Sequence, residues 1–342
     1  MNQTETRDLT DTIRAVVAGQ DLTRDEARQV ASAIMTGEVG DARIAALLVA
    51  LRMKGETVEE IAGFADVMRR HADGVAVDGD DLVDTCGTGG DGKGTFNIST
   101  VTAFVAAGAG CRIAKHGNRS VSSSCGSSDL LDQLGIPTRT SPETAALQLR
   151  SSGLTFLFAP LYHQAARHAA NARREIGIRS IFNIVGPLTN PAGASRQLMG
   201  VFDPNLTKRL AGVLKELGST HCLVVHGCDG MDEITLAGPT RVSELRSGRI
   251  RTFDLQPQEF GFDLADAEVL RGGSPDVNAT VALDVLRGIT GPERDIVLIN
   301  SAAAIYVGGR AATIGEGIEL ARRSIDDGKA MAALDSLRRD PS

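Results

Sequence analysis

The stretch LVDTCGTGGDGKGTFNISTVTAFVAAGAG, residues 82–110, decides how this chain is to be read. An apolar start at Leu82-Val83 leads into Asp84-Thr85-Cys86-Gly87-Thr88-Gly89-Gly90-Asp91-Gly92, and Asn97-Ile98-Ser99-Thr100 then opens the helix-like VTAFVAAGAG. Closely spaced glycines let a backbone approach a ligand, and a helix N-terminus offers unpaired N–H groups at the positive end of its dipole. Strand, glycine loop and helix in that order suit a phosphate group. There is no G-x-x-x-x-G-K-[ST] and no G-x-G-x-x-G running directly into the helix, so the loop points away from ATP and NAD. Taken alone, the run could equally be a structural turn with Asn97 or Ser99 as an ordinary helix cap.

Further along, the apolar CRIA precedes Lys115-His116-Gly117-Asn118-Arg119-Ser120-Val121-Ser122-Ser123. A lysine supplies point charge for a diphosphate, hydroxyls and loop amides add donors, and Gly117 permits close approach. The strand-like CLVVHG ends just before Asp232-Glu233, where a parallel α/β sheet presents its ligands. Magnesium prefers carboxylate and phosphate oxygens, so adjacent acids opposite two anion loops would form a clamp. Without that context such a pair is more often surface charge. The densest arginine group, Arg173-Arg174 and Arg179, precedes the double-proline segment GPLTNP and could supply a guanidinium fork for a carboxylate. A helix C-terminal arginine answering the dipole is the plainer reading of Arg173.

Around these motifs the short apolar runs LVDTCG, CRIAKHG, LTFLFAP, HCLVVHG and DIVLIN alternate with helix-like stretches such as 99–108 and 205–217. The alternation predicts a large α/β domain whose mostly parallel sheet is flanked by helices. From Leu9 to Ala72 the apolar spacing is helical throughout, giving a smaller all-helical domain. Thr23 three residues before Glu26, and Thr57 three before Glu60, mark two helix starts as capping boxes. The segment 160–177 reads as helical, and 322–342 as a final helix with a frayed end.

A length of 342 residues favours two domains, and the 42% hydrophobic and 23% charged content is that of an ordinary soluble protein. No apolar run is long enough to span a bilayer, and the N-terminus lacks a basic-then-apolar leader, so the expected location is cytoplasmic, with no membrane partner. The five cysteines form no CxxC pair and read as reduced thiols. A net charge of -7 makes nucleic acid an unexpected partner.

The strings DTCGTGGDGKGTFNIST, KHGNRSVSSSCGSSDLLDQLGIP and DGMDE, with the arginine-rich segment before GPLTNP, resemble the anthranilate phosphoribosyltransferases from about residue 9 to about residue 335. The resemblance implies transfer of the phosphoribosyl group of phosphoribosyl pyrophosphate to anthranilate, with release of pyrophosphate, in tryptophan biosynthesis. It implies that Gly87, Gly90, Asp91, Thr95, Asn97, Ile98, Ser99 and Thr100 line the phosphoribosyl pyrophosphate, together with Lys115 through Ser123 and Ser127. By the same carry-over, Gly87, Asn118, His163 and Arg173 contact anthranilate, and Pro187 shapes its path. Ser99, Asp232 and Glu233 hold magnesium, about two ions per subunit, and Lys115, Asp232 and Glu233 act in catalysis. The small domain, 1–75, is expected to be completed by about 160–180, leaving 76–159 and 181–342 to the large one. A homodimer through the helical domain is implied, with IAALLVALRM as a possible face.

Two departures stand out: Gln164 occupies a place where relatives commonly show proline, and Ser128 one where many show alanine. The pyrimidine nucleoside phosphorylases share the fold and a Lys-His loop, but a serine usually follows their histidine where Gly117-Asn118 follows here. A non-catalytic relative that binds nucleic acid through a basic dimer groove is the alternative of a different class. Its reading is opposed by the acidic balance and by the retained Asp232, Glu233 and Arg173.

Overall fold

The computed structural model describes residues 8–79, 81–119 and 124–339. Among these, the chain opens with helices α1 (Leu9–Val17), α2 (Arg24–Met35), α3 (Asp41–Lys54) and α4 (Val58–Arg70). It continues through β1 (Leu82–Gly87), α5 (Ile98–Gly108), β2 (Arg112–Gly117), α6 (Ser127–Gln133), α7 (Pro142–Ser151) and β3 (Leu154–Phe158). The short helices α8 (Ala159–Tyr162), α9 (Ala170–Ile176) and α10 (Phe182–Val185) follow. Next come β4 (Arg196–Gly200), α11 (Asn205–Glu216), β5 (His221–Gly227), β6 (Thr240–Arg246) and β7 (Arg249–Leu255). The chain closes with α12 (Pro275–Leu286), α13 (Pro292–Val307), α14 (Ile314–Asp326) and α15 (Lys329–Arg338). It divides into two compact units, residues 1–73 with 162–189 and residues 74–161 with 190–342.

In the helical unit both capping boxes form: Thr23 and Thr57 each accept from the amide three residues on, while Glu26 and Glu60 reach back. Glu60 is fully buried and also takes the Leu22 amide at 2.9 Å and the Lys54 ammonium at 3.0 Å. Ile44, Leu47, Leu48 and Leu51 of the IAALLVALRM stripe are wholly inside this unit, so most of the stripe is core. Met53 and Val17 remain exposed, at 84% and 71%.

The second unit carries a seven-stranded sheet in the order β3-β2-β1-β4-β5-β6-β7. The pairs from β3 through β5 are parallel, and β6 and β7 add antiparallel to one edge. Residues 82–86 are all buried, as befits a central strand covered on both faces. The chain moves outward through β2 and β3 on one side and through β4 and β5 on the other. The order therefore reverses between β1 and β4, and a crevice opens beyond the carboxyl ends of those two strands.

The expected mostly parallel α/β sheet with a smaller helical bundle is thus what forms, but individual runs depart from their sequence reading. DIVLIN, read as a strand, is helical and lies within α13. From Ile296 to Val307 every residue is buried, because α13 runs between α5, α14, β4 and β5. A helix buried all round has no polar face, and a short apolar run then looks like a strand. The segment 160–177 is helical but broken, with a 3-10 turn over 164–169 between α8 and α9. The tail holds two helices, α14 and α15, on either side of a turn at 327–328. No described helix is long and apolar enough to cross a membrane.

Candidate active site

The carboxyl ends of β1 and β4 are both glycine, and Gly87 and Gly200 lie opposite each other in the ladder. A Cβ on Gly87 would stand 2.7 Å from Asp232 Oδ2, and one on Gly200 would run into the Asp232 backbone carbonyl. Two side-chain-free strand ends are what let the loop after β5 cross the crevice and hang Asp232 over β1. The Gly89 amide donates to Asp232 Oδ2 at 2.9 Å, joining the glycine loop to the acidic pair. Asp91 joins from the other side, accepting from the Lys93 amide at 3.1 Å and the Asp232 amide at 3.4 Å.

Lys115 enters from β2, next to β1, and is buried with 3% exposure. Its ammonium donates to the Thr85 carbonyl and, at 3.2 Å, to Ser99 Oγ in the first turn of α5. Burial pushes this lysine below its ordinary range, and Asp84, Cys86, Glu233 and Asp232 pull it back up. Asp84 is wholly buried beneath it, accepting from the His116 amide at 3.0 Å and from Asn190 Nδ2 at 2.8 Å.

The acids sit in the opposite condition. Burial and the neighbouring Asp91 carboxylate push Asp232 up to about 7, against the Gly89 amide bond that favours its charge. Glu233 is raised well above the usual carboxylate range by burial and by Asp232, with Lys115 and the Ser99 amide opposing. Asp91 and Asp232 repel each other and both act on Glu233, and a cation would relieve that repulsion. No group of three or more His, Cys, Asp or Glu ligands stands ready as a cage among the described residues. Magnesium commonly uses one or two carboxylates and draws its remaining ligands from water and substrate phosphates, and the Asp232-Glu233 pair with Ser99 nearby is a donor set of that kind.

The structure thus brings Gly87, Asp91, Ser99, Lys115, Asp232 and Glu233 together, and it treats the other expected residues unequally. Ile98 and Thr100 are each 1% exposed, so Ile98 can offer a ligand only its backbone. The Thr100 hydroxyl is buried and has no hydrogen-bond partner among the described residues. Thr95 forms an isolated bridge with Arg271. Asn97 stands at the N-cap of α5 without capping it; its amide donates to the Cys125 carbonyl at 3.1 Å. The Asn118 backbone is held at both ends by Ser127 Oγ, at 3.2 and 3.1 Å. Arg119 turns its guanidinium to α6, pairing with Asp129 at 3.1 Å and Asp132 at 2.8 Å. Ser120, Val121, Ser122 and Ser123 lie outside the described residues.

His163 and Arg173 belong to the helical unit. His163 is 7% exposed, with its ring 3.4 Å from Thr189 Oγ1, and burial lowers it below the ordinary histidine range. Gln164 opens the 3-10 turn, a first-turn position that also tolerates proline, and it gains a 3.1 Å bond to Asp73. Arg173 lies with its Cζ 5.2 Å from the centre of the Phe182 ring. Burial alone lowers it, and among the described residues no carboxylate pairs with it.

Sequence reasoning passed over Asp84, Asn190, Gly200 and Asn278. Asp84 and Asn190 lie inside the strings DTCGTGG and GPLTNP but take no role from them, and Gly200 and Asn278 lie in no motif. Each acquires its place through partners distant in sequence, Asp84 and Asn190, 106 positions apart, being one example.

Comparison with known proteins follows the same division. Residues 10–72 match the helical bundle domain of a glycosyl transferase family, and residues 79–331 match its a/b domain. The anthranilate phosphoribosyltransferase of Syntrophobacter fumaroxidans is 52% identical over 331 residues, covering 97% of this chain and 98% of that protein. The crystal structure of anthranilate phosphoribosyltransferase from Thermus thermophilus superposes with a TM-score of 0.91 at 42% identity, over 96% and 98% of the two chains. The Saccharomyces cerevisiae enzyme, solved with phosphoribosyl pyrophosphate (PRPP) and Mg, gives 0.88 at 27% identity, over 97% and 98%. With half its residues shared along almost its full length, and both glycosyl transferase domains present in order, the chain belongs to the anthranilate phosphoribosyltransferase family.

Proposed function

We infer that this protein transfers the phosphoribosyl group of phosphoribosyl pyrophosphate to the amino nitrogen of anthranilate, releasing pyrophosphate, as a step of tryptophan biosynthesis in the cytoplasm. The observation that carries the reading is the meeting of the Gly89 amide, Lys115, Ser99 and the Asp232-Glu233 pair at the strand-order reversal. The yeast relative solved with phosphoribosyl pyrophosphate and magnesium supports it.

An aryl amine is a weak nucleophile, so breaking of the bond from C1 to the pyrophosphate oxygen runs ahead of C–N formation. The bonding pair leaves with the diphosphate, the ribose becomes oxocarbenium-like, and the amine lone pair closes the new bond with loss of an N–H proton. Lys115 stabilises the charge gathering on the departing diphosphate, a prearranged electrostatic role, and the glycine loop of residues 87–91, whose Gly89 amide holds Asp232, frames it. Ser99, Asp232 and Glu233 would hold magnesium, about two ions per subunit, which supplies further neutralisation of that charge. Gly90, Thr95, Asn97 to Thr100, Lys115 to Ser123 and Ser127 are assigned to phosphoribosyl pyrophosphate. Arg173 is assigned to the anthranilate carboxylate, with Gly87, Asn118 and His163 as further contacts and Pro187 shaping the path. The desolvated guanidinium of Arg173, with no carboxylate beside it among the described residues, supports that role.

A homodimer through the helical unit is also proposed, and among the described residues Met53, Val17 and Ile178 are large apolar side chains exposed on that unit. Light scattering of Met53→Glu should then report a monomer. The central test follows anthranilate fluorescence with and without phosphoribosyl pyrophosphate and magnesium. Loss of signal requiring both supports the transfer, whereas thymine release from thymidine and phosphate in its place would replace it with a phosphorolysis.

A further inference from the structure

Residues 270–273 run alongside the outer edge of the glycine loop. The Phe96 amide donates to the Leu270 carbonyl at 3.1 Å, the Gly272 amide to the Gly94 carbonyl at 2.8 Å, and Thr95 and Arg271 bridge between them. Asn278, in the first turn of α12 and 1% exposed, fastens this strap to the site. Its Oδ1 accepts from the Gly273 amide at 2.7 Å, and its Nδ2 donates to Asn97 Oδ1 at 2.9 Å. Asn97 passes the connection on through its 3.1 Å bond to the Cys125 carbonyl, and Ser124 Oγ donates back to the Gly273 carbonyl at 2.7 Å.

An asparagine at a helix N-cap ordinarily folds its side-chain oxygen onto the first-turn amides. At the head of α5 that bond is missing, because Asn278 holds the oxygen elsewhere. We propose that Asn278 is a positioning residue for phosphoribosyl pyrophosphate. It keeps Asn97 off the N-terminus of α5 and pins the strap that forms the outer edge of the glycine loop. The inference rests on reading residues 87–100 as the seat of the diphosphate. Without the Asn278 donor, Asn97 is free to swing over the helix end, where it competes with phosphate oxygens for the same positive dipole. That competition falls on the diphosphate and leaves the aminobenzoate side alone.

Asn278→Leu keeps the volume but neither donates nor accepts, and Asn278→Ala empties the position; should the alanine variant fail to fold, the leucine variant decides. With magnesium present, the KM for phosphoribosyl pyrophosphate and its calorimetric Kd should rise about tenfold or more, as for loss of a buried hydrogen bond. The anthranilate KM and the kcat at saturating phosphoribosyl pyrophosphate should stay within about threefold, a split that general loosening would not produce. In a double-mutant cycle, Asn97→Ala combined with Asn278→Ala should raise the phosphoribosyl pyrophosphate KM by clearly less than the product of the two single effects, because only the strap contact acts without Asn97. Additive effects, or losses spread evenly over both substrates and kcat, would overturn the proposal. Wild-type protein that binds no phosphoribosyl pyrophosphate would sink the reading of the site itself. Wild-type binding with unchanged affinity in Asn278→Leu would sink this inference alone.

Discussion

Replacing Arg173 by methionine should separate binding from folding, because the two are expected to move independently. The guanidinium lies 5.2 Å from the Phe182 ring centre, is lowered by burial, and has no carboxylate partner among the described residues. In the protein without substrate its charge is therefore desolvated with little in return. The contact with Phe182 contributes about 0.5–1 kcal/mol. Methionine keeps most of the length, packs on the same ring and removes the desolvated charge, so folding stability should change by less than about 1 kcal/mol. For a protein of this size the melting temperature should move by no more than about 3 °C.

Binding should behave differently. A hydrogen bond to a charged partner contributes about 1.5–3 kcal/mol, and a paired fork that loses its guanidinium forfeits about 2–4 kcal/mol. At 1.4 kcal/mol per factor of ten, the anthranilate KM should rise roughly 30- to 1000-fold while the phosphoribosyl pyrophosphate KM holds. Initial rates from anthranilate fluorescence, with a thermal melt of the same preparation, measure both quantities. An anthranilate KM within threefold of wild type would refute the assignment. So would a melting temperature falling by more than about 5 °C, since that would make Arg173 a structural residue.

Three further outcomes follow from particular contacts. Gly87→Ala places a Cβ 2.7 Å from Asp232 Oδ2 and 3.2 Å from the Gly200 carbonyl; the carboxylate must turn away and the strand end give by a few tenths of an ångström, so the fold should persist while kcat/KM for phosphoribosyl pyrophosphate falls at least tenfold. Wild-type turnover in that variant would make the placement of Asp232 irrelevant. Among the described residues the buried Ser128 hydroxyl has no partner, so Ser128→Ala should raise stability by about 1 kcal/mol in urea titrations, and a lower midpoint would show that the hydroxyl is hydrogen-bonded. Glu244 is 1% exposed; hydrogen bonds from His221, Tyr306 and Arg251, aided by Arg251's charge, outweigh burial and hold it down to about 2 from its ordinary 4.5. A lowered folded-state value means the stabilisation is complete above the unfolded value and disappears as the pH falls towards the folded one. The shift corresponds to about 3 kcal/mol, of which about 2 kcal/mol is lost by pH 3. Wild type should therefore lose more stability than Glu244→Gln between pH 6 and pH 3, and parallel pH profiles would contradict the assignment.

What could be seen in the sequence was whatever is decided locally. A capping box is closed within four residues, so Thr23 with Glu26 and Thr57 with Glu60 announce their helices without help from the rest of the chain. The strand, glycine loop and helix of residues 82–108 are likewise contiguous, and their order alone suggests an anion at the helix end. The failures share the opposite property. DIVLIN is a helix because other helices and strands surround it, and no run of six letters reports its neighbours. β6 escaped because it buries Thr240, Ser243 and Glu244; a buried glutamate is readable only once His221, Tyr306 and Arg251 are known to be its partners.

The same distinction runs through the site. Lys115, Asp232 and Glu233 are chemically loud and stand beside glycines, so a sequence displays them. The residues that hold them in place are quiet. Gly200 matters because the Asp232 backbone crosses it, and Asn278 because 181 residues separate it from the Asn97 side chain it engages. Crowded carboxylates beside a desolvated lysine are a costly arrangement, stable only if the surrounding backbone cannot relax away from it. Such a site needs rigid support from elements far apart in the chain, and residues of that kind are the ones a linear reading passes over.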